Sequence, residues 1–218
     1  MFSHRRSWRR RVGDPKKNEK VDRDPSLVGS YKPISLIPCL DKILGNLFLL
    51  KFQRWFSIND VIDPNQYSFR ENRCCELPVS KTVTKIQSLT NDLHAAFVSV
   101  DLKAAFDNMN WSILFGLFDK NHAPFAYRNF IYFYLINRCV VSNDYNLFVK
   151  NEIFKGCPQG SLLAPLLWNL YFNHVLQLNN DLYYLQAFAD DLELVTLGRN
   201  REIVELDTNN PLDLIFRK

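Results

Sequence analysis

The most constraining feature of this chain is a short apolar stretch that runs directly into a carboxylate. Phe97–Asp107 opens with aromatic and β-branched residues that favour a buried strand, and the apolar run stops at Asp101. The side chain of Asp101 is therefore expected at the edge of a sheet, facing solvent or a metal. Beyond this stretch, apolar residues recur at helical spacing and predict a following helix: Leu114, Leu117 and Phe118.

A second acidic element lies far downstream, in Gln186–Val195. There Asp190 and Asp191 separate two apolar runs, a layout that predicts a β-hairpin with its turn at the acids. If Asp101 converges with this pair, the three charges repel, and a hard cation such as Mg²⁺ would neutralise them. Aspartate is also a common turn residue, so the pair alone is compatible with an ordinary hairpin that binds no metal.

The clearest loop signal is Gly156–Ser161, where two glycines and a proline precede an apolar helix predicted over Leu162–Leu178. Glycine lets a backbone approach a ligand closely, and the free N–H groups at a helix start favour anions. Gln159 adds both a hydrogen-bond donor and an acceptor. These residues suit a ligand-binding loop, and they suit equally a plain helix entry that is capped by Ser161.

The remaining periodic segments predict further helices and strands without an internal repeat. Helical spacing of apolar residues predicts helices that begin at Asp41, cover Leu77–Leu89 and begin again at Arg199. Phe125–Val141 is typical of a buried helix that runs into a strand. Phe148–Phe154 is typical of one arm of a hairpin.

The composition indicates a folded protein of a reducing, intracellular compartment. The chain has 218 residues, of which 47% are hydrophobic and 14% aromatic, and this is enough for one sizeable core. No apolar run approaches the roughly 18 residues that cross a bilayer, and no signal peptide is visible, so no membrane partner is expected. The five cysteines are odd in number and lack C-x-x-C spacing, which predicts reduced thiols and no zinc site.

Charge and periodicity divide the chain into three predicted parts. Residues 1–29 are interpreted as a flexible basic leader, because the first twenty residues hold eight Lys and Arg against two acids. Residues 30–206 are predicted to form the folded domain. Residues 207–218 lose periodicity and are predicted to be an irregular tail. The leader could hold phosphates, although a solvated segment is the simpler interpretation.

Several stretches fall in one order along the chain and together resemble a known family. They are Tyr31–Leu36, Gln66–Arg70, Asp101–Asp107, Gly156–Leu167 and Phe188–Asp191. As a set they resemble the reverse transcriptase domain of non-LTR, LINE-like retrotransposons of the jockey type, over roughly residues 15 to 206. The last two stretches carry most of the specificity of this resemblance, because an Asp-Asp hairpin alone would be weak.

The resemblance implies an α+β fold: the fingers and palm of a right-hand polymerase, with an antiparallel palm sheet packed on helices. It also implies RNA-templated DNA synthesis, in which a primer 3′-hydroxyl attacks the α-phosphate of a deoxynucleoside triphosphate. The implied partners are an RNA template, a DNA primer and dNTPs, and the sequence indicates no protein partner. No thumb segment is recognisable after the acidic hairpin, so we expect a truncated element with its thumb missing and its grip on primer–template weakened.

The same resemblance assigns the acids to metal binding and catalysis. Asp101, Asp190 and Asp191 match the family's catalytic carboxylates, and Leu102 would lend a backbone carbonyl. Together they would hold two Mg²⁺ ions, for which Mn²⁺ could substitute. Two such ions can clamp the attacking and leaving oxygens of a phosphoryl transfer.

Four further residues match positions that bind the nucleotide in the family. Phe106 takes the place of the aromatic residue under the sugar, where a bulky ring excludes a 2′-hydroxyl. Gln159 falls where the family has a glutamine that lines the nucleotide pocket. Lys32 and Arg70 fall in the fingers, where cations would meet triphosphate or template phosphates.

Two other functions stay open at this point. Carboxylate clusters also cut phosphodiester bonds, so a metal-dependent nuclease is one alternative, although it leaves Phe106 and the loop of Gln159 without a role. The other is a non-catalytic remnant that holds nucleic acid through its basic leader and fingers. Primer extension on an RNA template with Mg²⁺ would separate the three functions.

Overall fold

The computed structural model describes residues 39–87, 93–136, 138–144 and 147–216. The predicted leader at 1–29 and the position of Lys32 lie outside these residues. The described chain divides into two compact units, one of residues 39–49 with 106–164 and one of residues 50–105 with 165–216. Across the described ranges, no helix combines the length and the apolar character that a membrane span requires.

The described residues form both helices and strands. The helices are α1 (Cys39–Ile58), α2 (Glu76–Gln87), α3 (Ala105–Asn108), α4 (Trp111–Lys120), α5 (Phe125–Leu135), α6 (Ala164–Leu176) and α7 (Arg201–Phe216). The strands are β1 (His94–Asp101), β2 (Cys139–Asp144), β3 (Leu147–Glu152), β4 (Tyr183–Phe188) and β5 (Asp191–Gly198).

The periodic segments predict most of these elements correctly. The helices expected from Asp41 and over Leu77–Leu89 are confirmed as α1 and α2. Leu114, Leu117 and Phe118, whose spacing predicts a helix after the first acidic strand, are the buried residues of α4. As predicted, α5 leads into β2, and α6 follows the glycine-rich loop.

The second unit is built on a three-stranded antiparallel sheet in the order β1-β5-β4. β4 and β5 form a hairpin that turns at Asp190, which confirms the hairpin predicted at the acids. β1 pairs along the other side of β5, from His94 opposite Gly198 to Asp101 opposite Asp191. This register places the end of β1 beside the start of β5, next to the hairpin turn.

One face of this sheet belongs to the core of the second unit. Leu185, Leu192 and Leu194 are fully buried on that face, because alternate residues of a strand point to the same side. α7 packs against the same face, where the hydroxyls of Thr196 and Thr208 share a hydrogen bond of 2.6 Å. The opposite face carries the odd-numbered residues of β1 and β5, and these include the acids.

β1 is not the buried strand that the sequence predicts. Phe97 is 50% exposed, and exposed residues alternate with half-buried ones from Ala95 to Asp101. Among the described residues β1 pairs with β5 alone, so it forms an edge of the sheet and only one of its faces meets the core. Apolar composition could not reveal this, because a central strand and an edge strand can contain the same residues.

The prediction of an irregular tail is wrong over residues 207–216, which continue α7 as a helix. By local propensity Asn209–Pro211 would end a helix there. Tertiary packing overrides that preference, since Thr208 and Pro211 are buried and the hydroxyl of Thr208 donates to the carbonyl of Val204 (2.6 Å). Residues 217 and 218 lie outside the described residues.

The first unit combines helices with a separate two-stranded hairpin of β2 and β3. α4 has a well-formed start, because the side chain of Asn110 accepts hydrogen bonds from the backbone N–H groups of Ser112 (2.9 Å) and Ile113 (3.4 Å). α3 precedes this start, and the loop Gly156–Ser161 follows β3. Hydrogen bonds connect α3 to that loop, and they position the first unit's candidate functional residues.

Candidate active site

The predicted catalytic acids meet at one corner of the antiparallel sheet. Asp101 is the last residue of β1 and stands opposite Asp191, the first residue of β5. Directly opposed residues of an antiparallel pair lie on one face with Cβ atoms about 4.5–5.5 Å apart. Asp190 occupies the turn immediately before β5. The structure thus brings together three carboxylates from segments that lie far apart in the sequence.

Backbone hydrogen bonds hold the turn that carries Asp190. The indole N–H of Trp168 in α6 donates to the carbonyl of Ala189 (2.7 Å), and the N–H of Leu102 donates to the carbonyl of Asp190 (3.2 Å). Ala189 has φ 57°, in the left-handed region that costs a residue with a side chain about 1–2 kcal/mol. The bond from Leu102 ties the end of β1 to the turn and so fixes Asp101 relative to Asp190.

The pKa of Asp191 reflects the proximity of the acids. Partial burial raises this pKa, and the negative charges of Asp190, Asp101 and Glu193 raise it further. Each neighbouring carboxylate disfavours the ionised form of Asp191, because like charges repel. A cation at this corner would relieve the repulsion, so the electrostatics favour a positively charged ligand.

Glu193 is a fourth acid on this face, and the sequence interpretation missed it. It follows Asp191 by two residues on β5, so both side chains project from the same face. Its carboxylate accepts hydrogen bonds from the hydroxyl of Thr82 in α2 (3.0 Å) and from the amide of Gln186 in β4. The same amide donates to the carbonyl of Pro78 (2.8 Å). The alternation along β5 is the signal that could have identified Glu193.

The acids offer suitable donors for a hard divalent cation. Asp101, Asp190 and Asp191 present only oxygen atoms, and Mg²⁺ binds one or two carboxylates and completes its shell with water and substrate phosphates. No three His, Cys, Asp or Glu side chains in the described part of the chain already converge in a metal-binding geometry. Besides partial burial, the negative charges of Asp190 and Asp101 raise the pKa of Asp191. The donor set therefore fits a cation that is bound jointly by protein and substrate.

In the first unit, two predicted nucleotide-binding residues are connected through one short network. The backbone N–H of Cys157 donates to the carbonyl of Phe106 (2.8 Å), and the amide Nε2 of Gln159 donates to the carboxylate of Asp107 (2.8 Å). An ionised carboxylate only accepts hydrogen bonds, so it determines which end of the Gln159 amide faces it. Asp107 is therefore a candidate functional residue to which the sequence interpretation assigned no role, although it lies in the same motif as Asp101.

Gly156 is the point at which the loop contacts the backbone of α3. It has φ 78°, and a Cβ atom there would lie 2.6 Å from the carbonyl oxygen of Asp107, a distance that side chains do not tolerate. Its carbonyl accepts hydrogen bonds from the indole N–H of Trp111 (2.8 Å) and from Arg138 (3.2 Å). The sequence suggested that glycine admits a ligand in this loop. At Gly156 the group that approaches is the protein's own backbone.

The thiol of Cys157, inside the same loop, is poorly suited to chemistry. Burial raises its pKa to about 12, so the thiol stays protonated at neutral pH and is not an activated nucleophile. All five cysteines of the chain are free thiols, so none is held in a disulfide.

Arg70 has a structural role that the resemblance does not indicate. Its Nη1 donates to the carbonyls of Asp63 (2.8 Å) and Gln66 (3.4 Å), in the connection between α1 and α2. One end of the guanidinium is therefore engaged with backbone, and a phosphate would have to use the remaining donors. Lys32 is not among the described residues, so its role stays a prediction.

Comparison with known sequences identifies a family for these motifs. Residues 15–211 match the family described as reverse transcriptase (RNA-dependent DNA polymerase). A retrovirus-related Pol polyprotein from the type-1 retrotransposable element R1 of Bradysia coprophila is 28% identical over 188 residues, 85% of this chain and 18% of that protein. The RNA-directed DNA polymerase from the mobile element jockey of Drosophila melanogaster is 25% identical over 189 residues, 83% of this chain and 20% of that protein. The chain spans about a fifth of the length of the curated relatives it matches.

Comparison with solved structures independently supports the fold. The apo telomerase from Candida tropicalis, truncated from its C-terminal domain, superposes with a TM-score of 0.56 over 78% of this chain and 36% of that chain. The sequence identity is 9%, so this likeness concerns the fold alone. It confirms the expected α+β class, with an antiparallel palm-type sheet packed on helices.

Proposed function

Because this chain belongs to the reverse transcriptase (RNA-dependent DNA polymerase) family, we propose that it copies RNA into DNA for a non-LTR retrotransposon. It adds deoxynucleotides to a primer 3′-hydroxyl, and pyrophosphate leaves. The proposed partners are an RNA template, a DNA primer and dNTPs. The proposed location is a reducing compartment inside the cell. The family binds nucleic-acid templates and nucleotides and generally uses divalent metal ions.

The observation that carries the proposal is the strand register. Asp101 and Asp191 are directly opposed, and Leu102 bonds to the carbonyl of Asp190, so the three acids share one corner of the sheet. Partial burial and the negative charges of Asp190 and Asp101 raise the pKa of Asp191, as mutual repulsion requires. Without a cation, repulsion between the carboxylates destabilises such a cluster. Enzymes of phosphoryl transfer use clustered carboxylates to bind metal ions.

The acids would act by holding positive charge next to the reacting phosphate. Asp101, Asp190 and Asp191, with the carbonyl of Leu102, would bind two Mg²⁺ ions, or Mn²⁺ in their place. Bound ions of this kind neutralise phosphate charge and lower the pKa of the primer hydroxyl. The bonds from Trp168 and Leu102 keep the carboxylates in place before substrate arrives, so little reorganisation is needed during the reaction.

Phe106 and Gln159 would select and orient the incoming nucleotide. The ring of Phe106 would exclude a 2′-hydroxyl and so favour deoxynucleotides. Asp107 holds the Nε2 end of the Gln159 amide, which leaves the oxygen Oε1 to accept a hydrogen bond from the substrate. Lys32 and Arg70 would add cationic contacts to the triphosphate or the template.

Primer extension with poly(rA), oligo(dT), dTTP and Mg²⁺ tests the proposal. We expect Asp190→Asn to lower the extension rate by about 100-fold or more, because the variant loses a charged oxygen ligand next to the transferred phosphate. The matched control is Asp181→Asn, at an exposed aspartate of the same unit, which should retain the wild-type rate.

Each alternative gives a different result in the same assay. Extension that survives Asp190→Asn would contradict the assignment of the acids. Degradation of the RNA, in place of extension, would favour the metal-dependent nuclease. Binding of primer–template with neither reaction would favour the non-catalytic remnant.

A further inference from the structure

We propose that Phe69 is a base-stacking residue that holds one nucleotide of a single-stranded nucleic acid beside a cationic surface of Arg73 and Lys81. The inference deepens the proposed function, on which it rests for the identity of the strand: a polymerase of this kind would present its single-stranded template here. Neither the acids nor the loop of Gln159 gives Phe69 a role.

The backbone at Phe69 is strained, and packing does not explain the strain. Phe69 has φ 54°, in the left-handed region, where a bulky residue is a genuine outlier. Its side chain is 49% exposed, so the ring is not needed simply to fill the core. Glycine would adopt this conformation without cost. An exposed ring that is kept at an unfavourable position indicates that the ring has a use.

Hydrogen bonds hold the residues on both sides of Phe69. On one side, Asn169 in α6 donates through Nδ2 to the carbonyl of Ser68 (2.9 Å). On the other, Arg70 donates through Nη1 to the carbonyl of Asp63 (2.8 Å). Asn169 and Ser68 are both buried, so the support beneath the ring is rigid. A turn held in this way loses little backbone entropy when a base stacks on Phe69.

Cationic side chains occur in the segment that carries Phe69. The guanidinium carbon of Arg73 and the ammonium nitrogen of Lys81 each lie 5.2 Å from the centroid of the Tyr67 ring, two residues before Phe69. Residues 66–85 contain four cations and two acids: Arg70, Arg73, Lys81, Lys85, Glu71 and Glu76. Asp60 and Asp63 act on Arg70, so the positive charge that suits an anionic ligand lies with Arg73 and Lys81.

The exposed ring of Phe69 and the cations Arg73 and Lys81 together favour one kind of ligand. An exposed aromatic ring flanked by cations matches a nucleic-acid strand, whose bases stack and whose phosphates are negative. A single strand is favoured over a duplex, because the bases of a duplex are already stacked on one another and would have to open to receive the ring. A neutral apolar partner would gain nothing from Arg73 and Lys81.

Binding of fluorescein-labelled oligo(rA), followed by fluorescence anisotropy in EDTA without dNTPs, tests the inference. We expect Phe69→Ala and Phe69→Gly to bind roughly 5- to 100-fold more weakly, the range that loss of one stacked base gives. Phe69→Tyr keeps a ring and should bind within about twofold of the wild type. Phe154→Ala removes a 75% exposed phenylalanine outside this surface and should leave binding unchanged.

Thermal unfolding of the same variants distinguishes stacking from a structural role. Phe69→Gly relieves the left-handed strain, so its unfolding temperature should equal or exceed that of the wild type while its RNA affinity falls. A ring that served the fold would instead lower both quantities together. That result would overturn the inference, as would wild-type RNA affinity in Phe69→Gly or an equal loss of affinity in Phe154→Ala.

The salt dependence of binding separates the ring from the cations. Lys81→Ala should reduce the slope of log affinity against log salt by roughly 0.7, the share of one phosphate contact on a single strand. Phe69→Gly should weaken binding at every salt concentration and leave the slope unchanged, because a stacked base releases no counterions. A change of slope in Phe69→Gly would contradict a stacking role.

The failure of this inference can be told apart from failure of the proposed function. Asp190→Asn should bind oligo(rA) normally and fail to extend a primer. If the wild type binds RNA through Phe69 but extends no primer, the stacking site stands and the polymerase assignment falls. If extension depends on Asp190 while Phe69→Gly binds and extends normally, the polymerase stands and the stacking site falls. Oligo(dA), measured in parallel, shows whether the surface distinguishes RNA from DNA.

Discussion

Two loops, one in each unit, carry the candidate residues Asp190 and Gln159. A tryptophan indole holds each loop through a backbone carbonyl. In the second unit, Trp168 donates to the carbonyl of Ala189 (2.7 Å). In the first unit, Trp111 donates to the carbonyl of Gly156 (2.8 Å). Both acceptor residues have positive φ, 57° at Ala189 and 78° at Gly156. The same kind of hydrogen bond thus holds the turn that carries Asp190 and the loop that carries Gln159.

The two loops differ in what surrounds the held residue. Gly156 lies against the backbone of Asp107 and has no room for a Cβ atom, whereas the turn at Ala189 accommodates a methyl group at the cost of some strain. The carbonyl of Gly156 has a second donor in Arg138, and among the described residues the carbonyl of Ala189 has Trp168 alone. Added side-chain volume should therefore destabilise the loop of Gly156. Loss of one hydrogen bond should destabilise the turn at Ala189.

The largest expected effect is that of Gly156→Ala. The new Cβ would clash with the carbonyl of Asp107 and would occupy a left-handed backbone, so we expect a loss of about 3 kcal/mol or more in the free energy of unfolding. Urea denaturation measures it. The matched control is Gly116→Ala in α4, where nothing lies within 4 Å of an added Cβ, and which should stabilise by about 0.5–1 kcal/mol. Equal effects at both positions would contradict the close approach of Gly156 to the backbone of Asp107.

An intermediate effect is expected of the two tryptophan replacements. Trp168→Phe leaves the carbonyl of Ala189 without its donor and should cost about 1–3 kcal/mol in the free energy of unfolding. Trp111→Phe should cost less, because Arg138 still donates to the carbonyl of Gly156. Urea denaturation compares the variants, and primer extension should slow more in Trp168→Phe. A larger cost in Trp111→Phe than in Trp168→Phe would contradict the expected difference between the two tryptophan hydrogen bonds.

The smallest effect is expected at Asp107, which would act on substrate through Gln159. Asp107→Ala removes the acceptor of the Gln159 amide, so we expect the KM for dTTP to rise roughly 5- to 10-fold with a smaller change in kcat. Asp107→Asn retains an oxygen acceptor and should recover most of the loss. Steady-state primer extension measures both constants. If Asp107→Asn were as impaired as Asp107→Ala, the negative charge, and not the hydrogen bond, would be what matters.

Much of the active site could be predicted from the sequence, because the acids belong to segments with strong local signals. The apolar run before Asp101 and the turn pattern at Asp190 and Asp191 predicted a strand and a hairpin, and both are present. Trp168 and the bond from Asp107 to Gln159 could not be found in this way. Each depends on which distant segment a side chain meets, and no local periodicity encodes such a contact.

Local pattern alone, then, determined the order of the strands, helices and acids, and with it the family. Tertiary structure decided which of these elements meet. The antiparallel register placed Asp101 opposite Asp191, and packing against the sheet kept α7 helical through Pro211. Phe69 and Ala189 adopted left-handed backbone in turns that tertiary hydrogen bonds hold. The physical reason is that hydrophobic periodicity indicates only the local secondary structure of a segment. Register, burial and strain arise from partners that the chain brings near only when it has folded.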